Sequence, residues 1–577
     1  MTRLCGLGVR TERQVPQHLA RVADVLQPQR EEANMPKLTI DGQECEFDGK
    51  KTVLQVSLEN GIEIPHYCYH PGMSIVASCR ICLAEVAQPN PRNDNKVELI
   101  PKLVPTCQTP AVDGMEVFTQ SPKSVANQKA VMEYLLINHP LDCPVCDQAG
   151  ECSLQDYSYK YGRSCSRFEE TKIKQPKKDI GPNVLLYSDR CIMCTRCVRF
   201  TREVTGTSEI GVFGRGSGEQ IDIFPGLALD NELSGNVVDI CPVGALLDKD
   251  FLMSMRVWNL KLSPSIDGIT ASGDNISVEY NEDTVYRLKP RTNIDVNQWW
   301  ISDEIRYGWK FVHREDRLRM PSVLGADGQR EEVEWKPALE TVSEKLKAVV
   351  AEKGEGSISL LVSPMLSCED AYLLGKLAKA LDPNAVIGVG HVPTEGENKS
   401  FPGGYTVYAE KAPNARGVRR ALESLGGTVH GYDDFIGAAG GTGAAIITGN
   451  YPDAWVDEKL TGLCNGKYTV LIDTLPNDLT ATADVVLPGA TWVEKAGTFE
   501  NVQNRLQSFH QAIPVVEYCK PEAQIALDLL RYTGADAEAG QYDDAKVRLD
   551  MGGAFANEVH EPKLSEKTGV DLEYVEL

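Results

Sequence analysis

Eleven cysteines and one histidine between residues 68 and 241 fall into three sets of four, each at a spacing that can hold iron. Cys68, Cys79, Cys82 and Cys107 follow C-x10-C-x2-C-x24-C. His139, Cys143, Cys146 and Cys152 follow H-x3-C-x2-C-x5-C. Cys191, Cys194 and Cys197 form a C-x2-C-x2-C run, closed by the Cys-Pro at Cys241. Thiolates suit iron–sulfur clusters or zinc, so the spacings must choose between them.

A zinc ribbon wants two C-x2-C pairs, and in the first set only Cys79 and Cys82 make one. The first set therefore reads as an iron–sulfur site, and its one C-x2-C pair with a distant fourth cysteine at Cys107 resembles the ligand set of plant-type ferredoxins, which implies a [2Fe–2S] cluster. In the second set an imidazole replaces one thiolate, which removes a negative charge and alters the potential of a cluster. Three cysteines and a histidine are also a structural zinc set, so on residues alone zinc stays open there. In the third set a ferredoxin run would place its fourth cysteine at Thr201. That fourth cysteine serves the other cluster of a two-cluster ferredoxin. Counting back from Cys241, the matching positions of a second run are Val237, Ser234 and Asn231, none of them a thiolate. The third set thus predicts one [4Fe–4S] cluster in a fold built for two.

The remaining chemistry is sparse. Gly214-Arg215-Gly216-Ser217-Gly218 has Glu219 where a dinucleotide fingerprint needs its last glycine, so it reads as a turn. No phosphate loop, nucleophile elbow or zinc-protease helix occurs, and no acid–base residue is nominated. Cys5, Cys45, Cys165, Cys368, Cys464 and Cys519 lie outside the sets and read as small buried hydrophobes.

The elements that position the ligands are legible around them. Lys37-Leu38-Thr39-Ile40 and Glu44-Cys45-Glu46-Phe47 flank Asp41-Gly42, a β-hairpin with a type I′ turn. A short amphipathic helix follows around Val53–Leu58. Pro122 starts a helix on which Val125, Met132, Leu135 and Leu136 recur at helical spacing, and His139-Pro140 ends it. Further on, Ile358–Val362, Ala445–Gly449 and Val470–Asp473 read as buried parallel strands separated by helices at 336–352 and 367–381. Such alternation is doubly wound α/β architecture.

A chain of 577 residues is too long for one core. Its 42% hydrophobic and 24% charged content is that of ordinary globular protein. The net charge of −23 excludes a phosphate-tracking surface and hence nucleic acid. No apolar run is long enough to span a bilayer. Residues 1–34 mix arginines with acids and lack an apolar core; they fit no secretory signal, and Met35 reads as the true start.

With these motifs in hand, the chain resembles the large peripheral-arm iron–sulfur subunits of NADH:quinone oxidoreductase, respiratory complex I (the 75-kDa subunit in mitochondria and its bacterial counterpart). Asn138–Asp147, Asp189–Arg199 and Asp239–Leu246 carry the likeness, and specific motifs cover residues 37–250. From there to about 530 a weaker likeness points to the molybdopterin oxidoreductase fold, mainly through Asp484–Trp492 and Glu494–Asn501. Some relatives carry a further [4Fe–4S] site; here its four positions hold Asp267, Thr270, Asp274 and Ser302, so a fourth cluster is not expected. No cysteine occupies a molybdenum-ligand position, and Cys368 reads as core, so no molybdopterin is expected either.

The expected fold is α/β and multidomain: a doubtful extension at 1–34, a β-grasp [2Fe–2S] ferredoxin domain at 35–115, and a His/Cys3 [4Fe–4S] domain at 116–156. A ferredoxin-like [4Fe–4S] domain at 157–255 and a small β-rich domain without a cluster at 256–312 follow. A metal-free molybdopterin-oxidoreductase-like doubly wound region occupies 313–535, with an acidic tail at 536–577. The resemblance implies single-electron transfer from a partner subunit carrying FMN and NADH. Electrons would enter near Cys68–Cys107, pass Cys191–Cys241 and leave through the His139 site toward quinone-reducing subunits. It implies a hetero-oligomer of peripheral-arm subunits on the cytoplasmic face of a bacterial inner membrane, or the matrix side in mitochondria. An NAD-linked hydrogenase or formate dehydrogenase subunit is the alternative, and residues 256–577 acting purely as a partner-binding scaffold is a third reading.

Overall fold

The computed structural model describes residues 35–562 and contains two compact units. One comprises residues 35–64 with Cys82–Val125; the other comprises Pro65–Ile81 with residues 126–562. The expected extension at 1–34 and the last residues of the expected tail lie outside the described residues.

In the first unit the hairpin forms as its sequence dictates. Lys37–Ile40 pairs antiparallel with Gln43–Glu46, and both Asp41 (φ 49°) and Gly42 (φ 87°) take the left-handed conformation of a type I′ turn. The Asp41 carboxylate also accepts from the Thr119 N–H at 2.7 Å. Lys37–Ile40 runs parallel to Met115–Phe118, which pairs antiparallel with Leu83–Asn90, itself paired to Lys96–Leu99. The Val53–Glu59 helix starts at a Thr52 capping box and buries Val53, Leu54 and Val56. This is the expected β-grasp. The expected boundary at 115 falls too early, because Met115–Phe118 is an inner strand with Met115 and Val117 buried.

In the second unit the Leu246–Asp248, Val184–Tyr187 and Lys177–Asp179 strands form a small sheet. Beside it stands a hairpin of Ile210–Phe213 and Gln220–Ile223. The glycine run lies at that hairpin's tip, Gly216–Gly218, as a turn should. A three-stranded antiparallel meander follows: Lys261–Ile266, Asn275–Asn281 and Thr284–Pro290.

The C-terminal region is built on an eight-stranded sheet. Six parallel strands run Val429–His430, Val386–Val389, Ile358–Val362, Ala444–Thr448, Tyr468–Asp473 and Val485–Pro488 across it. Ile358–Val362 comes first in the chain and sits centrally; later strands are added on one side and then on the other. That is the order of a doubly wound sheet. Its strands read as continuous apolar runs because helices such as Trp335–Lys353 and Cys368–Leu381 cover them. An antiparallel edge, Ser322–Leu324 with Arg330–Glu332, completes it.

The stretch expected to be an acidic tail is not one over its described part. Asp544–Met551 and Gly553–Asn557 are helical, and Val547 and Phe555 are buried in the core of the α/β region. Polar composition hid this, because each helix buries only a residue or two.

Candidate metal centres

The third set is the most completely built. Cys191, Cys194 and Cys197 leave the Val184–Tyr187 strand through a tight loop that enters the helical turn Arg196–Arg199. Met193 (φ 53°) and Thr195 (φ 59°) are left-handed although neither is glycine, strain of the kind a ligand-wrapping loop retains. The Met193 N–H donates to Cys191 Sγ at 3.3 Å. Cys241 ends the Asn236–Ile240 helix, and the backbone N–H groups of Val243, Leu246 and Ala245 face its sulfur. Donors aimed at cysteine sulfur stabilise the thiolate and raise a cluster's potential. Burial, the dominant effect, pushes the Cys191 thiol up to about 12 and Cys194 up to about 11. These sulfurs become thiolates only when a metal displaces the proton.

The positions matching a second run are filled by ordinary structure. Asn231 donates to Glu209 at 2.9 Å, Ser234 donates to Asp303 at 2.5 Å, and Val237 is fully buried in the core.

The second set lies next door. Cys143 is exposed, Cys146 is buried and Cys152 is half-buried. His139 follows the Pro122–Leu136 helix. Burial first, then the nearby Arg190 charge, lowers its imidazole to about 4, which leaves the ring neutral and able to ligate. Its buried Nδ1 has no hydrogen-bond partner. A Cβ on Gly244 would stand 2.2 Å from Cys146 Sγ, so only glycine fits there. Cys152 Sγ is 3.8 Å from the Pro242 carbonyl. Arg190, 2% exposed, donates to Asp142 at 3.0 Å and lies over the Tyr187 ring.

The first set divides between the two units. Cys68 and Cys79 belong to the Pro65–Ile81 loop, in which Ala77 (φ 50°) and Arg80 (φ 60°) are again left-handed. A hydrogen bond with Cys68 and burial both push the Cys79 thiol well up. In the other unit, Cys82 and Cys107 are buried. The Thr106 N–H and hydroxyl both donate to the Cys82 carbonyl, at 3.3 and 3.0 Å, and so tie the two ligand segments together. Among the described residues no three His, Cys, Asp or Glu side chains form a group able to hold a single metal ion.

Asp267, Thr270, Asp274 and Ser302 are brought together, all buried, in a hydrogen-bond network. Thr270 and Ser272 donate to Asp267 at 2.5 and 3.0 Å, Tyr405 donates to Asp274, and the Ser302 N–H donates to the Tyr405 oxygen at 2.9 Å. Burial raises Asp267 to about 6; burial and the Asp267 charge raise Asp274 to about 8.

Of the remaining cysteines, Cys45, Cys368, Cys464 and Cys519 are buried as expected, while Cys5 lies outside the described residues. Cys165 corrects that reading, for it is exposed on the loop after the Ser153–Tyr161 helix. In the Glu494–Asn501 segment the charges turn inward. Lys495 pairs with Asp370 at 2.8 Å and with Glu522, and Arg317 pairs with Glu494 at 2.9 Å. Sequence reasoning missed these pairs, and it missed Arg190 beside the second set. An arginine directly before the first cysteine of a tight loop was the available signal.

Four iron–sulfur family models match in succession: a 2Fe-2S iron-sulfur cluster binding domain over 33–122 and the NADH-ubiquinone oxidoreductase-G iron-sulfur binding region over 128–167, then the NADH-quinone oxidoreductase subunit 3 ferredoxin-like domain over 181–247 and the NDSU1/NuoG-like 4Fe-4S domain over 260–310. A molybdopterin oxidoreductase model matches 317–404 and 438–532. The "NADH dehydrogenase [ubiquinone] iron-sulfur protein 1, mitochondrial" of Solanum tuberosum is 41% identical over 363 residues, 61% of this chain and 47% of that protein. An NADH-quinone oxidoreductase subunit of Rickettsia felis is 39% identical over 350 residues, 61% of this chain and 50% of that protein. The "NADH-ubiquinone oxidoreductase 75 kDa subunit" of Reclinomonas americana is 38% identical over 352 residues, 61% of this chain and 49% of that protein. The chain thus spans about half the length of the curated relatives it matches. A solved NAD+-reducing [NiFe]-hydrogenase chain is 28% identical and covers 38% of this chain and 90% of its own; its TM-score of 0.33 is too low to bear on the fold. The chain is therefore recognised, by its iron–sulfur domains and its relatives, as kin of the large iron–sulfur subunit of NADH-quinone oxidoreductase.

Proposed function

We propose that the chain conducts single electrons, within a hetero-oligomeric NADH:quinone oxidoreductase, from an FMN-containing partner toward quinone-reducing subunits. In this reading Cys68, Cys79, Cys82 and Cys107 hold one [2Fe–2S] cluster. Cys191, Cys194, Cys197 and Cys241 hold one [4Fe–4S] cluster, and His139, Cys143, Cys146 and Cys152 hold another. The clusters supply one-electron redox chemistry; the protein fixes their spacing, solvent exclusion and potential.

The observation that carries the reading is the four-residue loop Cys241–Gly244. It contributes a ligand to the third set, while its Pro242 carbonyl and its Gly244 backbone lie against Cys152 and Cys146 of the second. Electrons crossing between these centres have almost no protein to cross. The route then has a natural exit. Cys143 is exposed, and Leu141, Val145, Met253 and Trp258 around it are 86%, 58%, 67% and 61% exposed. Arg256 donates to the Cys143 carbonyl at 3.0 Å and the Met253 N–H to Asp147 at 2.8 Å, which holds this apolar collar against the cluster loop. A collar of that size suits a subunit carrying the next acceptor. No helix among the described residues is long and apolar enough to cross a membrane; in this reading the chain sits as a peripheral subunit, on the cytoplasmic or matrix side.

Low-temperature EPR with metal analysis of the reduced protein tests the assignment. About ten irons per chain and no molybdenum are expected. Replacing His139 by cysteine should perturb one signal and spare the other two. Zinc in place of iron, or three unmoved signals, would refute it.

A further inference from the structure

The loop that carries Cys194 and Cys197 also carries two arginines with no anionic partner among the described residues. Arg196 Nη2 donates to the Tyr69 carbonyl at 2.6 Å and Nη1 to the Ile240 carbonyl at 3.2 Å. Arg199, 6% exposed, donates through Nη1 to the Ser74 carbonyl at 2.6 Å and through Nη2 to the carbonyl of Cys68 itself. The Nε of each is buried and without a hydrogen-bond partner. Nearby Glu203 is taken up by the Ser74 N–H and hydroxyl, at 2.8 and 2.6 Å. Among the described residues no carboxylate stands within ion-pair distance of either guanidinium.

A buried cation facing only neutral carbonyls is costly unless a counter-charge lies close. The groups close enough are the sulfurs: the charge of Arg196 bears on Cys194, Cys241 and Cys68, and that of Arg199 on Cys194. Thiolate-ligated clusters carry net negative charge that grows on reduction. We infer that Arg196 and Arg199 are the counter-ions of the Cys191–Cys241 centre and of the centre containing Cys68, and that they raise the reduction potentials of both. Both arginines act through the field at the clusters and transfer nothing themselves, so they are positioning residues. Guanidinium suits the role because it stays charged when buried and is only weakly hydrated. The inference rests on the cluster assignment proposed above.

Redox-poised EPR of the assembled complex tests it with Arg196→Gln, Arg199→Gln and Arg196→Lys. At a potential where the wild-type signals are half developed, each glutamine variant should lower the reduced-to-oxidised ratio of both centres about tenfold, equivalent to about 59 mV for one electron. Arg196→Lys, which keeps the charge, should remain within about threefold of wild type. The His139 signal should not move, since Arg190 rather than this pair adjoins it. Wild-type ratios in both glutamine variants would overturn the inference, as would equal shifts in the lysine and glutamine variants. Loss of the clusters from both glutamine variants would also overturn it, by showing a role in assembly instead. Absence of the Cys191–Cys241 signal from the wild type would count against the cluster assignment and not against the arginines.

Discussion

Asp274 offers a quantitative test of how the buried network around Asp267 and Asp274 is built. Its carboxyl is raised from 3.8 to about 8 by burial and by the charge of Asp267, and among the described residues neither acid has an ion-pair partner. The other groups facing it are the Tyr405 hydroxyl and the Ser272 hydroxyl, both neutral. Between about pH 4 and about pH 8 the folded protein therefore holds a proton that the unfolded chain has released. The native state binds more protons, so stability falls as pH rises, by about 1.4 kcal/mol per pH unit for one site. Over about four units the accumulated loss is about 5 kcal/mol. Asp274→Asn keeps an acceptor for Tyr405 and removes the ionisation. Near pH 4 the variant should match wild type within about 1 kcal/mol, and at pH 8 it should be several kcal/mol more stable. Hydrogen exchange of the Asn275–Asn281 strand, corrected for intrinsic rates, reads the opening free energy locally. Parallel pH profiles for the two proteins would refute the reasoning.

Two further outcomes follow from the packing. Gly244→Ala should push Cys146 Sγ aside, because the new methyl would sit 2.2 Å from it; the His139 centre should lose iron or change its EPR line shape, and an unaltered spectrum would contradict that geometry. Phe555→Ala should destabilise the α/β region by about 3 kcal/mol, seen as a lowered melting transition; a melt unchanged within error would return residues 544–557 to the status of a tail.

The candidate ligand sets can be proposed from the sequence because coordination restricts spacing along the chain, and the Asp41-Gly42 hairpin was legible because its turn demands left-handed residues. The strands Ile358–Val362 and Tyr468–Asp473 were legible as apolar runs, but their neighbours were not, since a continuous run carries no register. What escaped the sequence is mostly long-range pairing. Lys495 with Asp370 spans more than a hundred residues, and so does Arg199 with Cys68. Nothing local marks such partners. The Asp267–Asp274 network was visible only as missing cysteines, because hydroxyls from Thr270, Ser272 and Tyr405 converge there through folding alone.

The Cys241–Gly244 loop has a mechanical corollary. Electron tunnelling weakens exponentially with the gap, so any hinge between neighbouring redox centres would make current fluctuate with thermal motion. In the proposed reading one short stretch of backbone fills that gap: it is bonded to Cys241 and packs directly on Cys152 and Cys146, so the spacing has little room to vary. Conduction across this junction should be insensitive to how the rest of the molecule flexes or docks, leaving any gating to its two ends.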